Sequence, residues 1–173
     1  MMPLPKRIET PRALAEVAAD FVIQTTQRID TTRPGGVWFG ATLHPCLRWA
    51  GDGEVAVTQF GERIRTFDAQ LAQRMFGRRW MNKPALRQRV WGVFVAQRGP
   101  TGGIHGHAYC NAPEDLADQV EELAPDILRR HAPRGTNALF RRSPDTGWAA
   151  YMTRHLAQIE PPNHSISLLF LPV

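Results

Sequence analysis

The clearest strand pair in this chain begins with VWGVFVAQ, residues 90–97, and returns as IHGHAYC, residues 104–110. The first segment is apolar almost throughout, which is typical of a strand covered on both faces. Between the two segments, residues 99–103 read Gly-Pro-Thr-Gly-Gly, so we predict a turn and an antiparallel hairpin. Because side chains alternate along a strand, His105, His107 and Tyr109 are expected on one face of this hairpin.

Helical and strand patterns alternate on both sides of the hairpin. We predict helices at 10–28, 57–76, 114–130 and 147–159, and strands at 37–43, 137–142 and 165–170. The basic stretch 78–89 is expected to be a connection. This order predicts an α+β fold with a ferredoxin-like or RRM-like antiparallel sheet and flanking helices. The segment Pro34-Gly35-Gly36 indicates a linker, so we expect an N-terminal helical extension at 1–33 packed on a domain at 34–173.

Composition limits the class of protein. Apolar residues make up 43% and charged residues 21%, which is ordinary for a globular domain and excludes long disorder. No apolar run approaches the roughly 20 residues of a membrane span, and acidic residues interrupt the N-terminal segment. We therefore expect neither a signal peptide nor a membrane partner. Cys46 and Cys110 form no C-x-x-C pair, so a disulfide framework is not expected and the default compartment is cytoplasmic.

The net charge of +5 is unevenly distributed. Residues 58–98 are rich in basic side chains, a second basic group lies within 129–142, and acidic side chains concentrate in 114–126. This separation indicates one surface that meets a polyanion and another that faces water. We predict a nucleic-acid surface that includes Arg78, Arg79 and Lys83.

The motif His105-Gly106-His107 is a candidate metal site. Two imidazoles about 7 Å apart along one strand face can converge on a single divalent ion. Gln97 ends the preceding strand and can lie beside both histidines across the hairpin. Its amide oxygen suits Mg²⁺ or Mn²⁺, and the imidazoles favour Mn²⁺ or a heavier ion.

The segment from Gly147 to Gln158 contains a candidate nucleophile. Tyr151 and Arg154 are one turn apart on a predicted helix, on a face different from its apolar stripe. A free phenol ionises only at a pH of about 10, so it needs a neighbouring cation or base to attack a phosphodiester at neutral pH. A guanidinium can also hold the phosphate through two hydrogen bonds.

Together these segments resemble the HUH endonucleases, in particular the rolling-circle replication initiators of plasmids, phages and mobile elements. The first family motif is matched by the strand 39–45, the second by Gln97 through His107, and the third by Tyr151-Met152-Thr153-Arg154, where Arg154 occupies the family's lysine position. The resemblance covers about residues 37–160 and implies the HUH endonuclease fold.

The resemblance implies a metal-dependent nicking and joining enzyme. His105, His107 and Gln97 would hold Mn²⁺ or Mg²⁺, and Tyr151, assisted by Arg154, would attack single-stranded or hairpin origin DNA and form a covalent 5′-phosphotyrosine. No P-loop motif follows, so unwinding is expected to need a partner such as a host helicase.

Two other interpretations remain open on the sequence. The chain can be a protein that binds single-stranded nucleic acid without cutting it, with Trp38, Trp80, Trp91 and Trp148 as candidate stacking residues. A cupin-like metalloenzyme also uses an H-x-H motif after a glycine, although the glutamate expected after His107 is missing.

Overall fold

The computed structural model describes residues 11–44, 53–98, 104–131, 137–142, 147–154 and 164–169. Its helices are α1 (Pro11–Thr32), α2 (Gly53–Phe76), α3 (Lys83–Gln88), α4 (Ala117–His131) and α5 (Gly147–Arg154). Its strands are β1 (Val37–His44), β2 (Trp91–Arg98), β3 (Ile104–Ala112), β4 (Asn137–Arg142) and β5 (His164–Leu169). Short 3-10 helices at Gly77–Arg79 and Glu114–Leu116 precede α3 and α4.

The strands form one antiparallel sheet in the order β4-β1-β3-β2-β5. From β1 to β4 the order of strands and longer helices is β-α-β-β-α-β, and β5 is added at the β2 edge. The predicted α+β class, with an antiparallel sheet and flanking helices, is confirmed. The predicted hairpin is confirmed too, because β2 and β3 pair directly. This open sheet with helices excludes the closed all-β barrel of a cupin.

One face of the sheet carries the larger apolar core, under α2 and α4. Phe39 of β1 stacks on Phe140 of β4 with ring centroids 5.2 Å apart, and Phe67 of α2 packs against the same phenylalanine. Ala108 and Cys110 of β3 line this face as well. Burial raises the pKa of the Cys110 thiol, which is free, so it behaves as a small apolar side chain.

The opposite face is covered by α1 and α5. Val22 of α1 and Met152 of α5 are fully buried and meet Val93, Val95 and Tyr109 of the sheet. Trp38 and Trp148 pack at the margin of this smaller cluster. The helical extension predicted at 1–33 therefore contributes a packed layer where it is described, and its division from residue 34 onward stays a prediction.

The helical details correct two expectations. The basic stretch 78–89 is not a plain connection, because α3 begins after Asn82 with Pro84 in its first turn, a common helix start. In α1, the spacing of Val17, Phe21 and Val22 predicts one apolar stripe, but Val17 and Phe21 are exposed. Val22 is buried as predicted, and the burial continues one turn at a time through Thr25, Thr26 and Ile29.

Arg33 fastens the end of α1 to the sheet. Its guanidinium donates to the carbonyl oxygens of Arg87, Arg89 and Asn111 at 2.8–3.0 Å and lies 3.6 Å above the ring of Trp91. Desolvation by burial lowers the pKa of Arg33 to about 10, although Asp115 opposes this effect. One side chain thus joins α1, the end of α3 and the far end of β3.

Within the described residues, none of the helices combines the length and the apolar character that crossing a bilayer demands.

Candidate metal and nucleophile site

His107 lies at the centre of the face beneath α5. Its side chain is only 1% exposed, and the Thr42 hydroxyl oxygen of β1 lies 3.2 Å from its Nδ1 in a hydrogen bond. When Nδ1–H donates to this hydroxyl, Nε2 keeps its lone pair, which is the form that binds a metal ion. Thr42 is opposite His107 in the β1–β3 register, so the strand pairing itself sets this contact.

Tyr151 of α5 lies directly beside this imidazole. The ring centroids of His107 and Tyr151 are 5.1 Å apart in an edge-on arrangement, and the tyrosine remains 41% exposed. The phenol is therefore next to a buried imidazole and open to solvent at the same time. This is the juxtaposition that the sequence could only propose, since the two residues are 44 positions apart.

Trp148 sets the position of α5 on the sheet. Its indole Nε1 donates to the Ala108 carbonyl at 2.9 Å, and its ring lies flat against Gly40. A Cβ at Gly40 would lie 2.8 Å from the ring, so only glycine permits this contact. The helical spacing of Ala149 and Met152 predicts that both belong to the apolar stripe of α5. Trp148 packs against the buried cluster with Met152, and the Ala149 side chain lies outside the described residues.

The backbone register places the other metal candidates near His107. Gln97 of β2 is the direct partner of His105 of β3, so the predicted proximity across the hairpin is confirmed at the level of the backbone. Directly paired residues share a face, and His105 shares the face of His107 two residues along. The side chains of Gln97 and His105 lie outside the described residues.

The donor types on this face fit a divalent cation. Imidazole donors suit borderline ions such as Co²⁺ and Zn²⁺, and an amide oxygen suits harder ions such as Mn²⁺ and Mg²⁺. Thr42 supplies the kind of hydrogen bond that orients a histidine for metal binding. Among the side chains that the structure does describe, no three of His, Cys, Asp and Glu form a metal-binding group. A complete ligand set would therefore require His105 and Gln97.

The predicted DNA-contact residues lie at the other end of the sheet. Asn111, which meets Arg33 there, is four residues along β3 from His107, or about 13 Å at about 3.3 Å per residue. Arg33 also contacts the end of α3, and Arg89 lies over Trp80, so the stretch after α2 is at this end. Arg78 and Arg79 are exposed. The side chains of Lys83 and Arg154 lie outside the described residues.

Two arginines counted in the basic groups are engaged within the fold. Arg89 is buried in an ion pair with Asp68, whose pKa is raised by burial against the opposing effect of Arg89. Arg142 pairs with Asp118 and with Glu121, the latter at 2.6 Å. Neither side chain forms part of a free basic surface.

Arg141 is the cation that sequence reasoning did not single out. It is exposed on the edge strand β4, where it pairs with Gly40, which in turn pairs with Tyr109. Arg141 therefore shares the face of His107. The charge pattern of the sequence could not predict the position of Arg141, because the β4–β1 register joins segments that are far apart in the chain.

Most of the tryptophans proposed for base stacking are used inside the protein. Trp38 stacks on Tyr109 with centroids 4.2 Å apart and bonds to Asp30, and Trp91 is buried beneath Arg33. The chain has two tyrosines. Tyr109 is buried, so Tyr151 is the accessible one.

Comparisons with models of protein families, with curated proteins and with solved structures found no match to this chain.

Proposed function

We propose that this protein cuts and rejoins single-stranded DNA by transesterification, as an HUH-type endonuclease with Tyr151 as its nucleophile. The observation that carries the proposal is the 5.1 Å separation of the Tyr151 and His107 rings. This contact brings together the second family motif, which ends on β3, and the third, which lies on α5.

The ligands of the metal would be His107, His105 and Gln97. A divalent cation bound there would polarise the scissile phosphate and stabilise the charge that develops on its oxygens. His107 is suited to this role because it is held by Thr42 and shielded from water. Burial strengthens the electrostatic interactions of this imidazole with its neighbours.

Tyr151 supplies the attacking oxygen. Its Oη forms a bond to phosphorus as the bond from phosphorus to the 3′ oxygen breaks, and the phenolic proton is lost while the departing oxygen gains one. The DNA 5′ phosphate is then an ester of Tyr151, and a 3′ hydroxyl is free. Because one phosphoester replaces another, the reaction runs in both directions and permits rejoining.

Cations around the site would hold the DNA backbone. Arg154 follows Tyr151 by three residues on α5, a spacing that places both on one side of the helix. Arg141 is an exposed cation on the same face of the sheet. Arg78, Arg79 and Lys83 would contact DNA that extends to the far end of the sheet. Origin DNA and a separate helicase remain the proposed partners, and the cytoplasm the proposed compartment.

A binding-only protein is the weaker proposal. Proteins that bind through an open sheet of this kind stack bases on exposed aromatic side chains. Here the corresponding face is covered by α1 and α5, and Trp38 and Tyr109 stack on each other beneath them.

The deciding experiment uses the full chain, Mn²⁺ and a labelled pool of single-stranded and hairpin oligonucleotides. A protein–DNA adduct that survives denaturation is expected, with the nucleotide located on residue 151 by mass spectrometry. Tyr151→Phe should remove the adduct without unfolding the protein, since the side chain is partly exposed.

Tyr109→Phe is the matched control and should retain the adduct. If no member of the pool is nicked or attached, the enzyme proposal is wrong. If the adduct persists in Tyr151→Phe, the nucleophile is a different residue and the proposed mechanism fails.

A further inference from the structure

The register of the sheet brings a third histidine into the row of the proposed metal ligands. β5 pairs with β2 so that His164 is the direct partner of Gln97, and Gln97 is the direct partner of His105 on its other side. The three residues therefore form one transverse row, His105–Gln97–His164, across β3, β2 and β5. The row shares the sheet face of His107.

The dimensions of a sheet make this row compatible with one ion. Adjacent strands are about 4.8 Å apart, so the backbones at His105 and His164 are separated by about 10 Å with Gln97 between them. His107 is about 7 Å from His105 along β3. A position above the row at Gln97 is thus bordered by three imidazole-bearing residues and one amide-bearing residue.

We propose that His164 is a further ligand of the metal site, which makes it a three-imidazole, one-amide centre. This inference rests on the proposed metal site of His105, His107 and Gln97 and adds one residue to it. The neutral amide of Gln97 is a weak ligand, and an imidazole at the adjacent register position compensates for it.

The proposal has a consequence for ion selectivity. A site with three imidazoles favours borderline ions such as Co²⁺ and Zn²⁺, whereas Mg²⁺ prefers oxygen ligands and retains its water. We therefore expect Co²⁺ to bind much more tightly than Mg²⁺ in the absence of DNA.

The test measures Co²⁺ binding to the full chain by its visible absorption and by calorimetry. His164→Ala should weaken Co²⁺ at least tenfold and lower the intensity of the absorption band, because one nitrogen ligand is replaced. His164→Asp should restore part of the affinity and shift the preference towards Mn²⁺, because a carboxylate is a harder ligand.

Two control variants separate ligation from structure. Ser165→Ala changes the adjacent residue of β5, which alternates to the other face, and His131→Ala removes a histidine that bonds to Gln70 in the α2–α4 layer. Both should leave Co²⁺ affinity unchanged, and circular dichroism should report the same strand content in every variant.

The outcomes distinguish this inference from the proposed function. If His105→Ala and His107→Ala weaken Co²⁺ binding but His164→Ala does not, His164 is no ligand and only this inference fails. If neither His105→Ala nor His107→Ala weakens Co²⁺ binding, the proposed metal site and this inference both fail. Loss of Co²⁺ binding in Ser165→Ala would also overturn the inference, because the effect would then belong to the strand.

Discussion

The two faces of the sheet are built from different kinds of side chain. Beneath α2 and α4, strand residues such as Phe39, Ala108 and Phe140 form a continuous apolar core. Beneath α1 and α5, the strands present Thr42 and His107, and both are buried. Polar groups in a buried layer cost free energy unless they are satisfied, and here they hydrogen-bond to each other. One face is therefore the larger apolar core, whereas the other combines a smaller apolar cluster with a buried polar pair.

The largest loss of stability is expected when the apolar face is disrupted. Phe39→Ala should lower the free energy of unfolding by about 3–5 kcal/mol, since it removes a fully buried aromatic ring from the core. Denaturant titration measures the loss, and the folded fraction should still bind metal. Leu139→Ala on the exposed edge of the other face is the control, with an expected change within about 0.5 kcal/mol. A loss below about 1 kcal/mol for Phe39→Ala would contradict the division between the faces.

The next effect tests how α5 is seated on the other face. Gly40→Val should lower stability by up to about 3 kcal/mol, because the new side chain overlaps the Trp148 ring. It should also abolish the DNA adduct, since Tyr151 is carried by the displaced helix. Adding Trp148→Ala should recover part of the stability lost in Gly40→Val but not the adduct. Additive costs in the double variant would show that the two side chains do not interact.

Arg33 tests whether α1 is firmly attached to this face. Arg33→Ala should cost roughly 2 kcal/mol, because it removes charged hydrogen bonds to backbone carbonyls and exposes Trp91. Arg33→Lys should recover only part of this, since an ammonium lacks the planar fork. Arg28→Ala, which changes an exposed position of α1, should have almost no effect in the same thermal melts. Equal melting temperatures for Arg33→Ala and wild type would refute the attachment.

Thr42→Val removes the hydroxyl that bonds to His107 and changes the shape of the side chain very little. The lost hydrogen bond should cost about 1 kcal/mol of stability. Metal affinity should fall about 10–100-fold, as expected when the outer partner of a ligating histidine is removed. Thr42→Ser retains the hydroxyl and should retain the affinity. Unchanged Co²⁺ binding in Thr42→Val would show that the hydroxyl does not orient His107 for a metal.

The smallest effect concerns pH and the α2–α4 face. Desolvation, with a contribution from Arg63, lowers the pKa of His131 in the folded protein. As the pH falls below about 6.5, the unfolded chain gains a proton that the folded protein resists, so stability decreases. His131→Gln should flatten this dependence in denaturant titrations at about pH 7.5 and about pH 5.5. Parallel losses in wild type and variant would assign the dependence to other groups.

Local sequence signals predicted much of the fold. Alternation assigned His107 and Tyr109 to one face and Ala108 and Cys110 to the other, and the structure agrees. Such patterns depend only on residues that are close together in the chain, so they can be recognised from the sequence alone. The helix at Lys83–Gln88 was missed because six residues are too few to show a helical period, although Asn82 and Pro84 were a usable start signal.

The parts of the site that could not be predicted depend on pairing between distant segments. The positions of Arg141 and His164 relative to His107 follow from the β4–β1 and β5–β2 registers. Trp148 joins Met152 against the sheet because Gly40 leaves room for an indole, and no pattern within α5 itself could show this.

The anchoring of α5 by Trp148 and Met152 has a consequence for how the proposed nucleophile would behave. Trp148 and Met152 hold the described part of α5 on the sheet, so Tyr151 keeps its place while these two side chains stay packed. Amide hydrogens of this segment should exchange faster than those of the central strands. In the proposed reaction, release of the DNA then needs a brief detachment of α5 alone, with the sheet left intact.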